Sequence, residues 1–271
     1  MTHHVTPFLY HACANAFSAH FTRPIERLID VQAGTSLPIT GGHGSARVEN
    51  FRFDGFASFK AAYSQVSGSE KFVTDEKGKE HCIHTTLATS VVEGLNILDI
   101  ITADRIVSRL ASSYESGAEP ESTWLGSRFD NLQIAGCRID VELHHEFLPK
   151  LRTFELAIAE LEKNDEFRKM AESPLGLWKL PEKGIEIPRH GVICCSLVKT
   201  LKPARCPGVE HLGHHGHVLI VPEFGKVHLA ELILTHGSKT LTMIRFELGS
   251  PNGGGGSAGQ TGTNGRPPGS N

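Results

Sequence analysis

The stretch that decides the fold is TTLATSVVEGLNILDIITADRIVSRLASSY, residues 85–114. Both of its halves are rich in threonine, valine, isoleucine and serine, which favour an extended chain. The centre supplies the turn formers Gly94, Asn96 and Asp99. In the second half, large apolar side chains occur on both faces of an alternating pattern. The pattern therefore predicts a long β-hairpin that is covered on both sides.

Similar alternation extends outward from this hairpin in both directions. The charged residues 69–81 interrupt it, and we expect them to form an exposed loop. A phase shift between Met243 and Ile244 indicates a bulge. Strands are predicted within residues 47–53, 56–68, 190–201, 217–224, 226–234 and 239–248, and two short strands are predicted on either side of Ala135-Gly136.

One region has a helical period instead. Leu151, Phe154, Ile158 and Leu161 recur at spacings of three and four, with charged residues between them, as in an amphipathic helix. Asn164 or Asp165 can cap a further turn or two. The sequence therefore predicts a helical insertion at about residues 148–173, followed by a loop rich in proline and glycine up to residue 188.

The predicted fold class is mainly β, an antiparallel two-layer sandwich or twisted sheet with this one helical insertion. We expect a single domain over residues 1–249, with its ordered part from about Pro7 to Leu248. From Gly249 onward the composition is restricted to glycine and small or polar residues apart from Arg266. Residues 250–271 are therefore predicted to be a disordered tail.

Charge and cysteine usage exclude several classes of protein. With 27 basic and 30 acidic residues the net charge is −3, which gives no field that would attract nucleic acid. No apolar run is long enough to span a membrane, and no signal peptide is recognisable, so a cytoplasmic location is expected. The six cysteines form no CxxC pair, and most are expected to be reduced. Cys194 and Cys195 are interpreted as small buried residues on opposite faces of a strand.

The hairpin and the segment after it resemble the choice-of-anchor P family of β-rich proteins. The resemblance rests on VVEGLNILDIITADRIVSR, LGSRFDNLQIAGCRIDVEL and the later VPEFGKVHLAELIL, about half of the chain. The matching positions are Glu93-Gly94 and Thr102-Ala103-Asp104, while Ala135-Gly136 stands where the family has Asn-Gly. The resemblance implies a large antiparallel β domain of the type found on exported bacterial proteins of unknown role. It implies no catalytic residues.

The stretch EHLGHHGHVLIVPEF, residues 210–224, places four histidines within seven residues before a predicted strand. On an extended chain His215 and His217 project to one face, which suits a metal site. Two interpretations stay open: a site for zinc or another divalent transition metal, to which Cys206 could also contribute, or a solvent-facing histidine turn between glycines. The candidate metal ligands are His211, His214, His215, His217, Glu223 and His228.

Other catalytic patterns are missing from the sequence. Gly-x-Ser-x-Gly occurs only at residues 255–259, inside the predicted tail and not in a strand-to-helix elbow, and the glycine-rich residues 41–45 lack the lysine of a phosphate loop. No catalytic residue and no cofactor other than a metal ion is predicted. The leading hypothesis is a non-enzymatic structural or interaction module of bacterial type, able to self-assemble or to bind an unknown protein partner through strand edges. The alternative is a metal-binding protein or a metal-dependent enzyme.

Overall fold

The computed structural model of the chain describes residues 8–74, 76–115, 118–173, 175, 180 and 191–264. These residues form two antiparallel sheets, packed face to face, and three short helices. The predicted class, a mainly β two-layer sandwich with a helical insertion, is confirmed. We call the two layers the terminal sheet and the hairpin sheet.

The terminal sheet contains the first and the last described strands. Its strands are β1 (Ala12–Arg23), β2 (Arg27–Gln32), β3 (Thr35–Ser36), β12 (Val192–Ser196), β14 (Glu210–Leu212), β15 (Val218–Val221), β16 (Gly225–Thr235), β17 (Ser238–Leu248) and β18 (Gly253–Asn264). They are ordered β14-β15-β16-β17-β18-β1-β2, with β12 paired to β16 and β3 paired to β1.

The hairpin sheet is built around the stretch that decides the fold. Its strands are β4 (Gly42–Phe53), β5 (Ala57–Thr74), β6 (Glu80–Ile97), β7 (Ile101–Glu115), β8 (Glu121–Thr123), β9 (Arg128–Asp130), β10 (Leu132–Ile134), β11 (Cys137–Leu143) and β13 (Val198–Lys202). They are ordered β13-β11-β10-β7-β6-β5-β4, and β8 and β9 also pair with β7.

The long hairpin is confirmed, although its turn is later than the glycine suggested. The turn lies at Leu98 and Asp99, where φ is 53° and 55°. The side-chain amide of Asn96 donates to the Asp99 carboxylate at 2.6 Å. Gly94 lies inside β6 with φ 62°. The exposed loop predicted over residues 69–81 is present only at residues 76–79 and is shorter than expected, because β5 and β6 stay paired as far as Thr74 and Glu80. Backbone hydrogen bonds between the two strands hold this part of the hairpin together, while the charged side chains face solvent.

Both sheets contain residues with left-handed backbone conformation inside their strands. Asn50 and Gly94 in the hairpin sheet, and Ala230 and Gly259 in the terminal sheet, have φ between 50° and 67° inside their strands. The pairing of β17 with both neighbours skips Met243, but one residue is skipped on each strand and the register does not shift. The bulge predicted at Met243–Ile244 is therefore wrong, because no strand there carries an extra residue.

The prediction of a disordered tail is wrong for Gly253–Asn264. This segment is β18, paired along its whole length between β1 and β17. Its glycines are required by close packing: a Cβ atom at Gly256 would lie 2.5 Å from the Ser18 carbonyl oxygen and 2.7 Å from the Phe246 ring. The ordered domain therefore continues beyond Leu248 to Asn264. Residues 265–271, the rest of the predicted tail, lie outside the described residues.

The helical insertion is confirmed as three short helices, α1 (Leu148–Leu151), α2 (Phe154–Lys163) and α3 (Asp165–Ala171). The Thr153 hydroxyl accepts from the Leu156 amide and begins α2, so the predicted single stripe is broken after Leu151. Asn164 caps α3, as predicted, by accepting from the amides of Glu166 and Phe167. The loop expected up to residue 188 lies almost entirely outside the described residues.

Two further expectations, one about the cysteines and one about membrane-spanning segments, can be compared with the structure. Cys137 and Cys206 form a disulfide, while Cys13, Cys82, Cys194 and Cys195 are free, so most cysteines are reduced as expected. Among the described residues, no helix has the length and apolar character that crossing a membrane requires.

Candidate metal centre

Four metal-ligating side chains from three separate segments converge at one end of the sandwich. His144 follows β11, Glu166 lies in the first turn of α3, and His214 and His215 lie in a 3-10 turn before β15. One ligand atom from each residue lies within 4.8 Å of the ligand atoms of the other three. Three imidazoles and a carboxylate are a donor set that zinc and similar ions use.

The chain around His214 and His215 is folded into a tight turn. Gly213, His215 and Gly216 have φ of 79°, 50° and 72°, and the Gly216 and His217 amides donate back to the carbonyl oxygens of Gly213 and His214. A histidine in the left-handed region is uncommon and marks a conformation that its surroundings impose. The turn brings the two imidazole rings to a centroid distance of 3.9 Å.

His144 is the buried member of the group. Its side chain is 2% exposed, and neither ring nitrogen has a hydrogen-bond partner among the described residues. Nδ1 lies 3.4 Å from Glu146 Oε1, a charge contact outside hydrogen-bond geometry, and Lys199 Nζ lies 3.0 Å from the same oxygen. A buried polar atom without a partner is costly, so Nε2, which does not face Glu146, is the nitrogen that a ligand would satisfy.

Burial keeps the His144 and His214 imidazoles neutral, the form that binds metals. Desolvation, reinforced by the neighbouring histidines, lowers the pKa of His214 to about 4. Desolvation also lowers the pKa of His144, although Glu146 acts in the opposite direction. Glu146 itself stays ionised: the hydrogen bond from its own backbone amide, and then Lys199, hold its pKa at about 2.

The exposed members leave the group open to solvent. His215 is exposed, and the Glu166 side chain is 54% exposed, with Oε1 3.9 Å from His214 Nε2. A pocket of about 660 Å³ adjoins His215 and is also lined by Arg205 and His211. An ion at this position would be reachable from outside.

The structure separates the other sequence candidates from this group. His211 Nε2 accepts from the Cys206 amide at 3.3 Å, and Glu223 is exposed in the turn between β15 and β16. Cys206 cannot act as a thiolate ligand because its sulfur is bonded to Cys137.

His217 and His228 lie in a different crevice. His217 does not share a face with His215, because the expected strand is replaced by the 3-10 turn and begins only at Val218. His217 Nδ1 lies 2.9 Å from the His214 carbonyl oxygen, whereas the His228 nitrogens lie 3.5 Å from Glu231 and 3.6 Å from Glu247. The premise of two histidines on one strand face is therefore wrong, while a glycine-bracketed turn is present.

Sequence reasoning missed His144 and Glu166. His144 stands next to His145 before the helical insertion, a weak signal for a ligand. Nothing in the spacing of Glu166 distinguishes it from the other acidic residues of the helices. Only the packing of α3 beside the turn brings them to His214 and His215.

A second, smaller group lies on the long hairpin. Ligand atoms of Glu70, Cys82 and His84 also lie within 4.8 Å of one another. Tyr10 Oη lies 3.0 Å from His84 Nδ1, and the Phe8 ring stacks on the His84 ring. Glu70 is exposed, and three donors make a less complete site than four.

Comparison with known proteins gives a family but no described activity. No curated protein and no solved structure gives a significant match to this chain. One family model matches a region of the chain that includes all four residues of the candidate centre and ends where β16 ends. The model described as Domain of unknown function (DUF8256) matches residues 8–235, most of the chain, and the chain therefore belongs to this family.

Proposed function

We propose that this domain binds one divalent transition-metal ion through His144, Glu166, His214 and His215. The observation that carries the proposal is the convergence of four donor atoms, from three segments, within 4.8 Å. Donor atoms around a tetrahedral zinc lie about 3.3 Å apart, given bond lengths of about 2.0 Å. Metal binding therefore requires the donors to move closer together, and the exposed side chains of His215 and Glu166 are the ones expected to move.

Zinc is the ion that the donors favour. Imidazole ligands suit zinc, copper, nickel and iron, and one carboxylate with three imidazoles fits a four-coordinate zinc. Magnesium and calcium prefer sites made of oxygen donors. Glu146 supports the set, since a carboxylate beside a ligating histidine orients its ring and raises its basicity.

The ion would fasten the helical insertion to the sheets. Glu166 belongs to α3, His144 follows the hairpin sheet, and the two turn histidines precede a strand of the terminal sheet. An ion bound to all three cross-links them, and its binding energy adds to the stability of the folded state.

A catalytic role is a second candidate, favoured by the pocket beside His215. The pocket has the volume of small-molecule sites, and Arg205 supplies a positive charge at its rim. A metal ion with an accessible side can hold water or substrate there. This role would be supported if the zinc-loaded protein catalyses a reaction, and if Arg205→Ala abolishes that activity while still binding zinc.

The sequence-based hypothesis of an interaction module stays a prediction, as do its bacterial type and the resemblance to the choice-of-anchor P family. One feature favours it: Phe72, near the tip of the long β5–β6 hairpin, is 64% exposed. The cytoplasmic location also stays a prediction. The Cys137–Cys206 disulfide favours an oxidising compartment instead.

The test is a zinc titration of metal-stripped protein, followed by calorimetry and thermal melting. We expect about one equivalent of zinc to bind, and a rise in Tm of about 5–10 °C at 100 times the Kd, since such saturation stabilises a protein by about 2.7 kcal/mol. Glu166→Gln and His215→Ala change exposed side chains and should each weaken binding at least about tenfold.

Two matched variants control for these substitutions. Glu155→Gln alters an exposed carboxylate of α2, and His211→Ala removes a histidine of the same sequence cluster that lies outside the centre. Both should bind zinc as the parent protein does. Sub-stoichiometric zinc, or equal weakening by the control variants, would contradict the proposal.

A further inference from the structure

A groove of about 600 Å³ lies on the outer face of the hairpin sheet. Leu87 and Ala111 lie on its floor, on β6 and β7, while their neighbours Ala88 and Leu110 are fully buried on the opposite face. Its wall is formed by β8, the following turn with Leu125, and α1. Most of its lining surface is apolar, although serine and threonine side chains also line it, and its volume is in the range of small-molecule sites.

The groove carries an uncompensated positive charge. Arg109 projects from β7 into it, and no carboxylate among the described residues pairs with its guanidinium. Arg152 and Glu121, also in the lining, pair with each other at 3.1 Å. A Cβ atom at Gly126 would lie 3.3 Å from Arg109 Cδ, so the glycine lets the arginine lie close against the wall. Within the described part of the chain, the groove thus combines a mainly apolar surface with one unpaired cation.

A buried lysine of the other sheet fixes the wall. Lys239 is 1% exposed, and its Nζ donates to the carbonyl oxygens of Pro120 and Arg152, each at 2.7 Å. The Ser122 amide donates to the same Arg152 oxygen at 2.8 Å. Burial lowers the pKa of Lys239 to about 8, a sign of how costly this placement is. A wall held in this way is formed before any ligand arrives, which lowers the entropic cost of binding.

We propose that this groove binds a small amphipathic organic anion, with its apolar body on Leu87, Ala111 and Leu125 and its anionic head on Arg109. Charge complementarity selects the anion: a guanidinium binds carboxylate, sulfonate or phosphate oxygens in a bidentate manner. The proposal goes beyond the metal function, because none of the four metal ligands lines the groove.

Calorimetry with decanoate, a ten-carbon carboxylate, tests the proposal against 1-decanol, its uncharged analogue. We expect decanoate to bind with one-to-one stoichiometry and decanol to bind at least about tenfold more weakly. Arg109→Gln should lower decanoate affinity about 10- to 100-fold, the usual effect of losing a hydrogen bond to a charged group. Ala111→Trp, which fills the floor, should abolish binding.

Arg47→Gln is the matched control, because Arg47 lies on β4, outside the groove, and makes an exposed ion pair with Glu49. It should bind decanoate as the parent does, and circular dichroism should show that all variants fold. Absence of saturable binding, equal affinity for decanol, or equal effects of the two arginine variants would overturn the proposal. Cosedimentation with phosphatidylglycerol vesicles without binding of free decanoate would overturn it too, since the protein would then recognise a membrane surface.

Discussion

At the centre of the sandwich the two sheets meet through small side chains, whereas the end that carries the histidine turn buries imidazole groups. At the centre, Gly259 of β18 faces Ile106 of β7, and the hydroxyls of Ser108 and Thr261 are 2.8 Å apart. At the histidine end, His144 and His228 are each no more than 3% exposed.

Because of this difference, we expect the stability of the two regions to be sensitive to different changes. The small side chains that meet there, such as Ser108 and Thr261, do not titrate, so the stability of this packing depends on side-chain volume. Burial favours the neutral form of His144, His214 and His228 at the histidine end, and by our proposal this end is further stabilised by a metal ion. Substitutions that add volume and changes in pH should therefore affect the two regions separately.

The largest effect should come from adding volume at the centre. In Gly256→Val the new side chain meets the Ser18 carbonyl oxygen, the Phe246 ring and the Ala19 methyl group, each within 2.8 Å of the first added carbon. We expect a loss of about 3 kcal/mol or more and a fall in Tm of about 6–12 °C, measured by urea and thermal unfolding.

Gly237→Val is the control for this substitution. A Cβ atom at Gly237 would have no neighbour within 4 Å, so the same change in volume should cost little there. Equal stability of the two variants would show that β18 is not packed as described.

The same strand shows where sequence reasoning fails. The sequence of residues 101–115 predicts a strand, because β propensity reflects how well branched side chains pack on a pleated surface. Residues 253–264 form an equally central strand but consist of glycine and small residues, because the neighbouring backbones leave no room for larger ones. Composition cannot distinguish a strand confined in this way from a disordered tail.

The candidate metal centre likewise contains two residues that the sequence pattern indicates and two that it does not. His214 and His215 stand out because they are adjacent in a histidine-rich stretch, and the flanking glycines predict the turn that holds them. His144 and Glu166 are 22 positions apart in sequence and far from that turn. Their convergence depends on how α3 packs against the sheets, which no local pattern records. The hairpin and the cap at Asn164, by contrast, are local and were predictable.

A smaller effect should follow from acidifying the histidine end. His228 is faced by Glu231, Glu247, Arg245 and His217, yet burial is the largest influence and lowers its pKa from 6.5 to about 4. Between these values the unfolded chain binds a proton that the folded protein does not, so stability falls as pH falls from 6.5 towards 4. From this residue alone we expect a loss of about 2 kcal/mol between pH 7 and pH 4.5.

The measurement is urea unfolding with a chelator present, so that metal release does not contribute. His228→Gln should reduce the dependence of unfolding free energy on pH by that amount, whereas Gly256→Val should leave the dependence unchanged. Identical slopes for the parent and His228→Gln would show that His228 does not remain neutral in the folded protein.

The smallest effect concerns the helix that carries Glu166 to the candidate centre. The Asn164 side chain accepts from the amides of Glu166 and Phe167, at 2.9 and 3.2 Å, and Asn164→Ala removes this cap. We expect a loss of about 1 kcal/mol in urea unfolding, and Asn164→Ser, which keeps an acceptor oxygen, should recover much of it. Because Glu166 is in the capped turn, zinc affinity should fall in the alanine variant and recover with serine. Loss of stability with unchanged affinity would mean that the ion positions Glu166 without help from the cap, and would place the carboxylate among the adaptable members of the centre.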